Sequence, residues 1–229
     1  MKSILHDMFT AILPRRCSSC GTPLAAREQF WCIPCGFHWS RHVQTAHQRF
    51  QGRLSWAHTW SWLKLQGQEE RSLAHTLKYG GNPQLGVALG VAMAEEWLAM
   101  TRQAAIACRH WSLVPVPLHP RRQRKRGYNQ SMQLAIGWSQ RTGMSIAPVC
   151  IRTHAGRSFT GYNRRQRMAR RNNPFSWKAS APPLAPETQG LILIDDIVTT
   201  GSTLESMHEA LRENWSGPMA FVTLADAAR

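Results

Sequence analysis

Leu191-Ile192-Leu193-Ile194-Asp195-Asp196-Ile197-Val198-Thr199-Thr200-Gly201-Ser202-Thr203 is the stretch on which the fold turns. Its first four residues read as a strand buried on both faces, and two acids stand at the carboxyl end of that strand. A short Thr/Gly/Ser turn follows and enters a helical pattern from about Thr203 to Glu213. Open α/β sheets bind ligands at this end of their strands. Gly201 lets the backbone approach an anion, and the N–H groups of a helix start supply donors at the positive end of its dipole. Ser202 and Glu205 fit the S-x-x-E capping box that would fix the start. Adjacent carboxylates repel phosphate, so their natural partners are hydroxyls or a bridging Mg2+. A sugar phosphate meets both demands, with phosphate in the turn and ribose hydroxyls on Asp195 and Asp196.

Outward from this stretch, strands and helices alternate. Leu54–Leu65, Leu113–Leu118, Ile146–Arg152 and Met219–Leu224 read as strands or a hairpin, and Glu69–Tyr79, Gln84–Met100 and Gln130–Arg141 as helices. Gly80-Gly81-Asn82-Pro83 separates the first two helices, and the proline-rich 179–187 segment reads as a loop. Alternation of this kind predicts a parallel or mixed sheet with helices on both faces.

The cysteines organise the start of the chain. Cys17-x-x-Cys20 and Cys32-x-x-Cys35 are two knuckles with eleven residues between them. Together they offer the four tetrahedral thiolates of a structural zinc, which leaves no open coordination position for catalysis. The short spacing leaves room for His38 or His42 to replace one sulfur, and two redox pairs are the competing reading. Cys108 and Cys150 lie on apolar stretches and read as small buried residues. The domain division is a cysteine-rich zinc-ribbon module over 1–50 and an α/β domain over 51–229.

Composition narrows the function classes. The chain has 229 residues, 43% of them hydrophobic and 18% charged, enough to pack a core. Lys and Arg number 28 against 13 Asp and Glu, a net charge of +15, which favours polyanionic partners. The charge is concentrated: from Glu96 to Glu187 there is no acid, and sixteen Lys and Arg fall between them. The Arg121, Arg122, Arg124, Lys125, Arg126 run reads as a basic loop after the Leu113–Leu118 strand, at the same sheet end as the acid pair. No apolar run reaches the ~20 residues of a spanning helix. The N-terminus has Asp7 and His6 inside its apolar stretch and lacks the pattern of a signal peptide, so a cytoplasmic setting is expected. Trp56, Trp60, Trp62, Trp97 and Trp111 read as core or interface residues rather than base-stacking platforms.

The Leu191–Thr203 string resembles the phosphoribosyl pyrophosphate (PRPP) signature of type I phosphoribosyltransferases. With Leu77-Lys78-Tyr79-Gly80-Gly81, Val114-Pro-Val-Pro-Leu-His-Pro-Arg-Arg122, Arg126-Gly-Tyr-Asn-Gln130 and the early C-x-x-C-G, the chain resembles the ComF family over most of its length. That resemblance implies an α/β fold, a type I phosphoribosyltransferase-like sheet flanked by helices, behind a small N-terminal zinc ribbon. It implies a link to DNA uptake (competence and transformation) or DNA utilisation. Carried over by position, Asp195 and Asp196 would hold the ribose hydroxyls and Thr199, Thr200, Gly201, Ser202 and Thr203 the 5′-phosphate. His119, Arg121, Arg122 and Arg126 become candidates for pyrophosphate. Thr153–Pro174 would form the hood over the site, where Phe159-Thr160-Gly161 departs from the Gln-Thr-Gly usual in the family. The expected cofactors are structural Zn2+, on Cys17, Cys20, Cys32 and Cys35, and Mg2+ with PRPP.

Two functions of different class follow. A phosphoribosyltransferase would displace pyrophosphate from the ribose with an acceptor that no recognisable nucleobase-reading segment specifies. A binding module would run single-stranded DNA along the basic stretch, Arg164–Arg171 included, and dock a DNA-uptake helicase or other competence protein through the ribbon.

Overall fold

The computed structural model describes residues 15–41, 58–100, 110–153 and 173–227. Its centre is a five-stranded sheet in which every neighbouring pair is parallel. The strands are β1 (His58–Lys64), β2 (Trp111–Pro115), β3 (Ser145–Ile146), β6 (Gly190–Val198) and β7 (Met219–Asp226), in the order β1-β7-β6-β2-β3. A separate antiparallel pair, β4 (Cys150–Arg152) and β5 (Phe175–Trp177), stands beside it. The mixed α/β expectation thus holds, with a sheet that is parallel throughout.

The strand that decides the fold is buried as its composition requires, with Leu191, Leu193 and Ile194 fully inaccessible. Burial of each such side chain is worth about 1.5–3 kcal/mol. Its side chains alternate between two cores. Ile192 and Ile194 face one that also contains Leu113, Val222 and Leu224. Leu191 and Leu193 face the other, with Val114 and Phe221. The first core is covered by α2 (Gln68–Tyr79), α3 (Pro83–Met100) and α5 (Gln130–Thr142), and the second by α6 (Ser202–Arg212) and the β4–β5 pair.

Helices α3 and α5 cross closely because glycines face backbone at the crossing. A Cβ on Gly137 would collide with the Val87 carbonyl, and one on Gly90 with that of Leu134. This crossing fixes the start of α5, which carries part of the candidate site. The tryptophans are core residues, as expected: Trp138 meets Trp60 at 6.0 Å and Trp97 at 5.5 Å between ring centroids. Trp56 lies outside the described residues.

Three local expectations change. The basic segment after β2 is a short helix, α4 (Pro120–Arg126), rather than a loop. Pro120 sits at its start, where a missing N–H costs nothing, His119 Nδ1 accepts from Arg121 N, and Gly127 at φ 83° ends it. The 146–152 segment is divided between β3 and β4, two strands of different sheets, with Pro148 between them unable to donate to a ladder. The Ser202–Glu205 capping box does not form. Gly201, at φ 79°, is the N-cap of α6, and the Ser202 hydroxyl instead accepts from Thr200 Oγ1 at 3.1 Å.

The cysteine segment packs on the sheet domain through α1 (Ile33–Arg41). Trp39 meets Trp62 edge-on at 6.0 Å, Ser19 Oγ donates to the Glu69 carbonyl, and Thr76 Oγ1 donates to that of Ser18.

Candidate functional site

Strands β2 and β6 are parallel neighbours, with Pro115 opposite Ile194, so the segments leaving both emerge at the same end of the sheet. From β6 come Asp195, Asp196 and the turn Thr199–Thr203; from β2 come His119 and the arginines of α4. The topology therefore carries the segments that hold these residues to the same end of the sheet. Thr199 and Thr200 are exposed on the turn, and Gly201 takes the left-handed conformation that a side chain disfavours.

Both acids are buried and heavily hydrogen-bonded. The Ser131 hydroxyl donates to Asp195 Oδ1 at 2.9 Å, as does the Asp196 amide at 2.8 Å. Gln130 Nε2 and Lys78 Nζ both reach Asp196 Oδ2 at 3.0 Å, and the Ile197 amide donates to Asp196 Oδ1. Burial, and then the Asp196 charge, raise Asp195 to about 7 against the opposing pull of its donors and of Lys78. Asp195 thus keeps its proton to a far higher pH than an ordinary carboxylate.

Lys78, Gln130 and Ser131 contact the acid pair, and none of them has a role in the sequence expectations. Lys78 and Gln130 stood in two of the quoted motif blocks, at the end of α2 and the start of α5, so the signal was there without its geometry. The segment between α4 and α5 ties α2 and the chain leaving β2 together. Tyr128 donates its hydroxyl to the Leu77 carbonyl at 2.6 Å, and Asn129 Nδ2 donates to the Val116 carbonyl while its Oδ1 caps Ser131 N. Gln130 Oε1 is buried and has no donor among the described residues.

The cationic side of the site is strongly self-repelling. Desolvation, then Arg121, Arg152, Arg122 and Arg124, hold His119 below its usual range. It is therefore a neutral imidazole at physiological pH, already used as a helix cap. Arg121 and Arg122 are exposed, whereas the Arg126 guanidinium lies 5.1 Å from the centre of the Tyr79 ring. The hood expected over Thr153–Pro174 falls, apart from its ends, outside the described residues, as do Arg164–Arg171, His42 and Cys108.

Cys17, Cys20, Cys32 and Cys35 form the second constellation. Their sulfurs lie within 4.8 Å of one another, and Cys20 and Cys32 are 3.7 Å apart. Four thiolates around a tetrahedral ion at ~2.3 Å are separated by about 3.8 Å, so the cluster has the geometry to hold a metal. His38 is directed elsewhere, its Nε2 lying 3.3 Å from Glu70 Oε1.

No protein-family profile matches the chain. Among individual proteins, the DNA utilization protein YhgH of Salmonella typhi is 29% identical over 144 residues, covering 62% of this chain and 60% of that protein. Competence protein F of Haemophilus influenzae is 33% identical over 106 residues, 44% of each chain. The DNA utilization protein YhgH of Escherichia coli K12 is 28% identical over 145 residues, 62% of this chain and 60% of its own. The alignment with the YhgH proteins thus spans 60% of their length.

Proposed function

We propose, from the ComF-family assignment that the YhgH and competence protein F matches support, that this chain is a phosphoribosyltransferase-type protein that binds PRPP and acts in the uptake or utilisation of DNA. The observation that carries this reading is that β2 and β6 are parallel neighbours, so the segments bearing the acid pair, the Thr/Gly/Ser turn and the cations leave from the same end of the sheet. A ligand with a phosphate at one end, hydroxyls in the middle and a pyrophosphate at the other has a partner for each part.

In this reading the Thr199–Thr203 turn holds the 5′-phosphate with backbone N–H groups and hydroxyls at the start of α6. Asp195 and Asp196 accept the ribose hydroxyls, and Gln130 Oε1, which has no partner among the described residues, is a buried acceptor beside them. Arg121, Arg122 and Arg126, with His119, face the pyrophosphate. Mg2+ bound together with PRPP would supply positive charge to the pyrophosphate, beside the side chains of Arg121, Arg122 and Arg126. The arginines add fixed positive charge where negative charge develops, which favours release of pyrophosphate from the ribose without a covalent nucleophile on the protein. Cys17, Cys20, Cys32 and Cys35 would hold a structural Zn2+ that fixes the N-terminal module and leaves no open position for chemistry.

Calorimetric titration of the zinc-loaded protein with PRPP and Mg2+ tests this reading. The wild type should bind, and an Asp195→Asn, Asp196→Asn double variant should lose at least tenfold in affinity. Equal binding by both would remove the ribose assignment.

The acid-free stretch between Glu96 and Glu187 favours a second reading, a module that binds single-stranded DNA without turnover. Its signature is affinity for a short oligonucleotide that falls steeply with salt and survives the double aspartate change.

A further inference from the structure

A cavity of about 530 Å³ opens beside the candidate site, in the corner between the segment leaving β2, the start of α5 and the β4–β5 pair. Its size falls within the ~300–1,000 Å³ usual for small-molecule sites. Pro117, Met132 and Ile151 contribute apolar wall, and Arg152 and Lys178 contribute cations. Every lining residue lies between positions 115 and 178, inside the stretch that contains no Asp or Glu, so the walls hold no carboxylate. The Cys150 thiol, pushed up to about 12 by burial, adds no negative charge.

The cations are therefore uncompensated at close range. The Arg152 guanidinium is held 5.1 Å from the centre of the Phe175 ring, and its Nε is buried with no acceptor among the described residues. Burial and the Arg122 charge both disfavour its protonated form, and the field of Asp195 opposes them only in part. An arginine does not relieve such a position by losing its proton; it needs an anion. Lys178 is half-buried and makes no side-chain hydrogen bond or ion pair with any described residue.

We propose that this cavity binds a small organic anion, with its acidic group on Arg152 and Lys178 and its apolar body against Pro117, Met132 and Ile151. The shared chemistry is a phosphate monoester or carboxylate carried on a compact ring. Because Asn129 belongs both to the cavity wall and to the segment that leads into the acid-binding Gln130 and Ser131, an occupant would sit next to the sugar-phosphate site without using its acids or its turn. The site stands independently of the PRPP reading.

The test uses the zinc-loaded full chain with 13C-methyl methionine and phenyl phosphate as probe, a ring and a phosphate without a sugar. The Met132 line, assigned with Met132→Leu, should shift in a saturable way, while the line of Met207, a buried residue of α6, stays in place. Phenol and inorganic pyrophosphate should each move Met132 at least tenfold less effectively. Lys178→Met should weaken the probe about tenfold, as should Arg152→Met, and the Asp195→Asn, Asp196→Asn variant should keep it. Movement of Met207 in place of Met132 would assign the probe to the Thr199–Thr203 turn and overturn the proposal. So would pyrophosphate acting as well as phenyl phosphate, or a Lys178→Met chain that binds normally. Loss of PRPP binding alongside an intact Met132 response would contradict only the sugar-phosphate reading.

Discussion

Lys78 Nζ lies 3.0 Å from Asp196 Oδ2, linking the last turn of α2 to the carboxyl end of β6 across the candidate site. The lysine is about a quarter exposed and the aspartate about a tenth, so this pair lies in a protected environment rather than on the open surface. Removing the cation would leave a buried carboxylate with amide and backbone partners alone. Lys78→Met is expected to cost on the order of 3 kcal/mol, as for other broken buried pairs. Adding Asp196→Asn should restore most of it. Urea unfolding of the two variants checks this, and a loss below about 0.5 kcal/mol would mean that the pair is solvated.

Asp195 gives the stability a particular pH dependence. An unfolded aspartate titrates near ~3.9, whereas the folded chain holds this one at about 7. Between these values the folded state keeps a proton that the unfolded state has lost. Asp195 therefore lowers stability progressively as pH rises from about 4 to about 7, and the loss levels off above that. Asp195→Asn should gain on the wild type across that window, as read by urea midpoints at pH 5, 6, 7 and 8. A difference that is flat with pH would contradict the raised value.

The crossing of α3 and α5 depends on the absence of a side chain at Gly137. Gly137→Ala would drive a methyl group into the Val87 carbonyl. Relief requires the helices to separate, moving the α5 start that carries Gln130 and Ser131. A loss of about 1–3 kcal/mol is expected despite alanine's better helix propensity. Thermal unfolding measures it, and an unchanged or raised midpoint would mean that the helices part freely.

The cysteine cluster should hold one zinc ion per chain. Cys17 and Cys32 are buried in the core that includes Trp39 and Trp62, so metal removal should loosen this docking as well as the knuckles. Chelation or Cys17→Ser is expected to release the metal and lower the melting temperature by several degrees. Elemental analysis reads the stoichiometry, and retention of full stability without metal would make the cluster dispensable.

The strand and turn at 191–203 were legible because an apolar run, two acids and a glycine turn constrain both burial and direction, although the strand runs on through the acids to Val198 instead of ending at Ile194. The four cysteines were legible as two matched knuckles, and the structure gathers their sulfurs into one cluster. Other features depended on long-range pairing that periodicity does not encode. The 130–142 helix could be read locally, but the placement of Gln130 and Ser131 against the acids is set by the glycine crossing with α3. Lys78 reaches Asp196 from 118 positions away in sequence. The basic loop became a helix through a proline start, a histidine cap and a left-handed glycine, three local signals outweighed in the reading by the charge run. Arg152 drew no attention because a lone arginine on a short strand has no pattern; only the cavity gives it a context.

Phosphorus-31 NMR of PRPP bound to the protein with Mg2+ tests the central claim most directly, since the 5′-phosphate and the pyrophosphate give separate resonances. The account predicts that the 5′-phosphate line shifts on the wild type and that Gly201→Val abolishes this shift by denying the turn its left-handed residue. Arg122→Met should instead weaken the response of the pyrophosphate lines. A 5′-phosphate line unaffected by the wild type, or shifted equally by Gly201→Val, would contradict the assignment of the Thr199–Thr203 turn as the phosphate cradle.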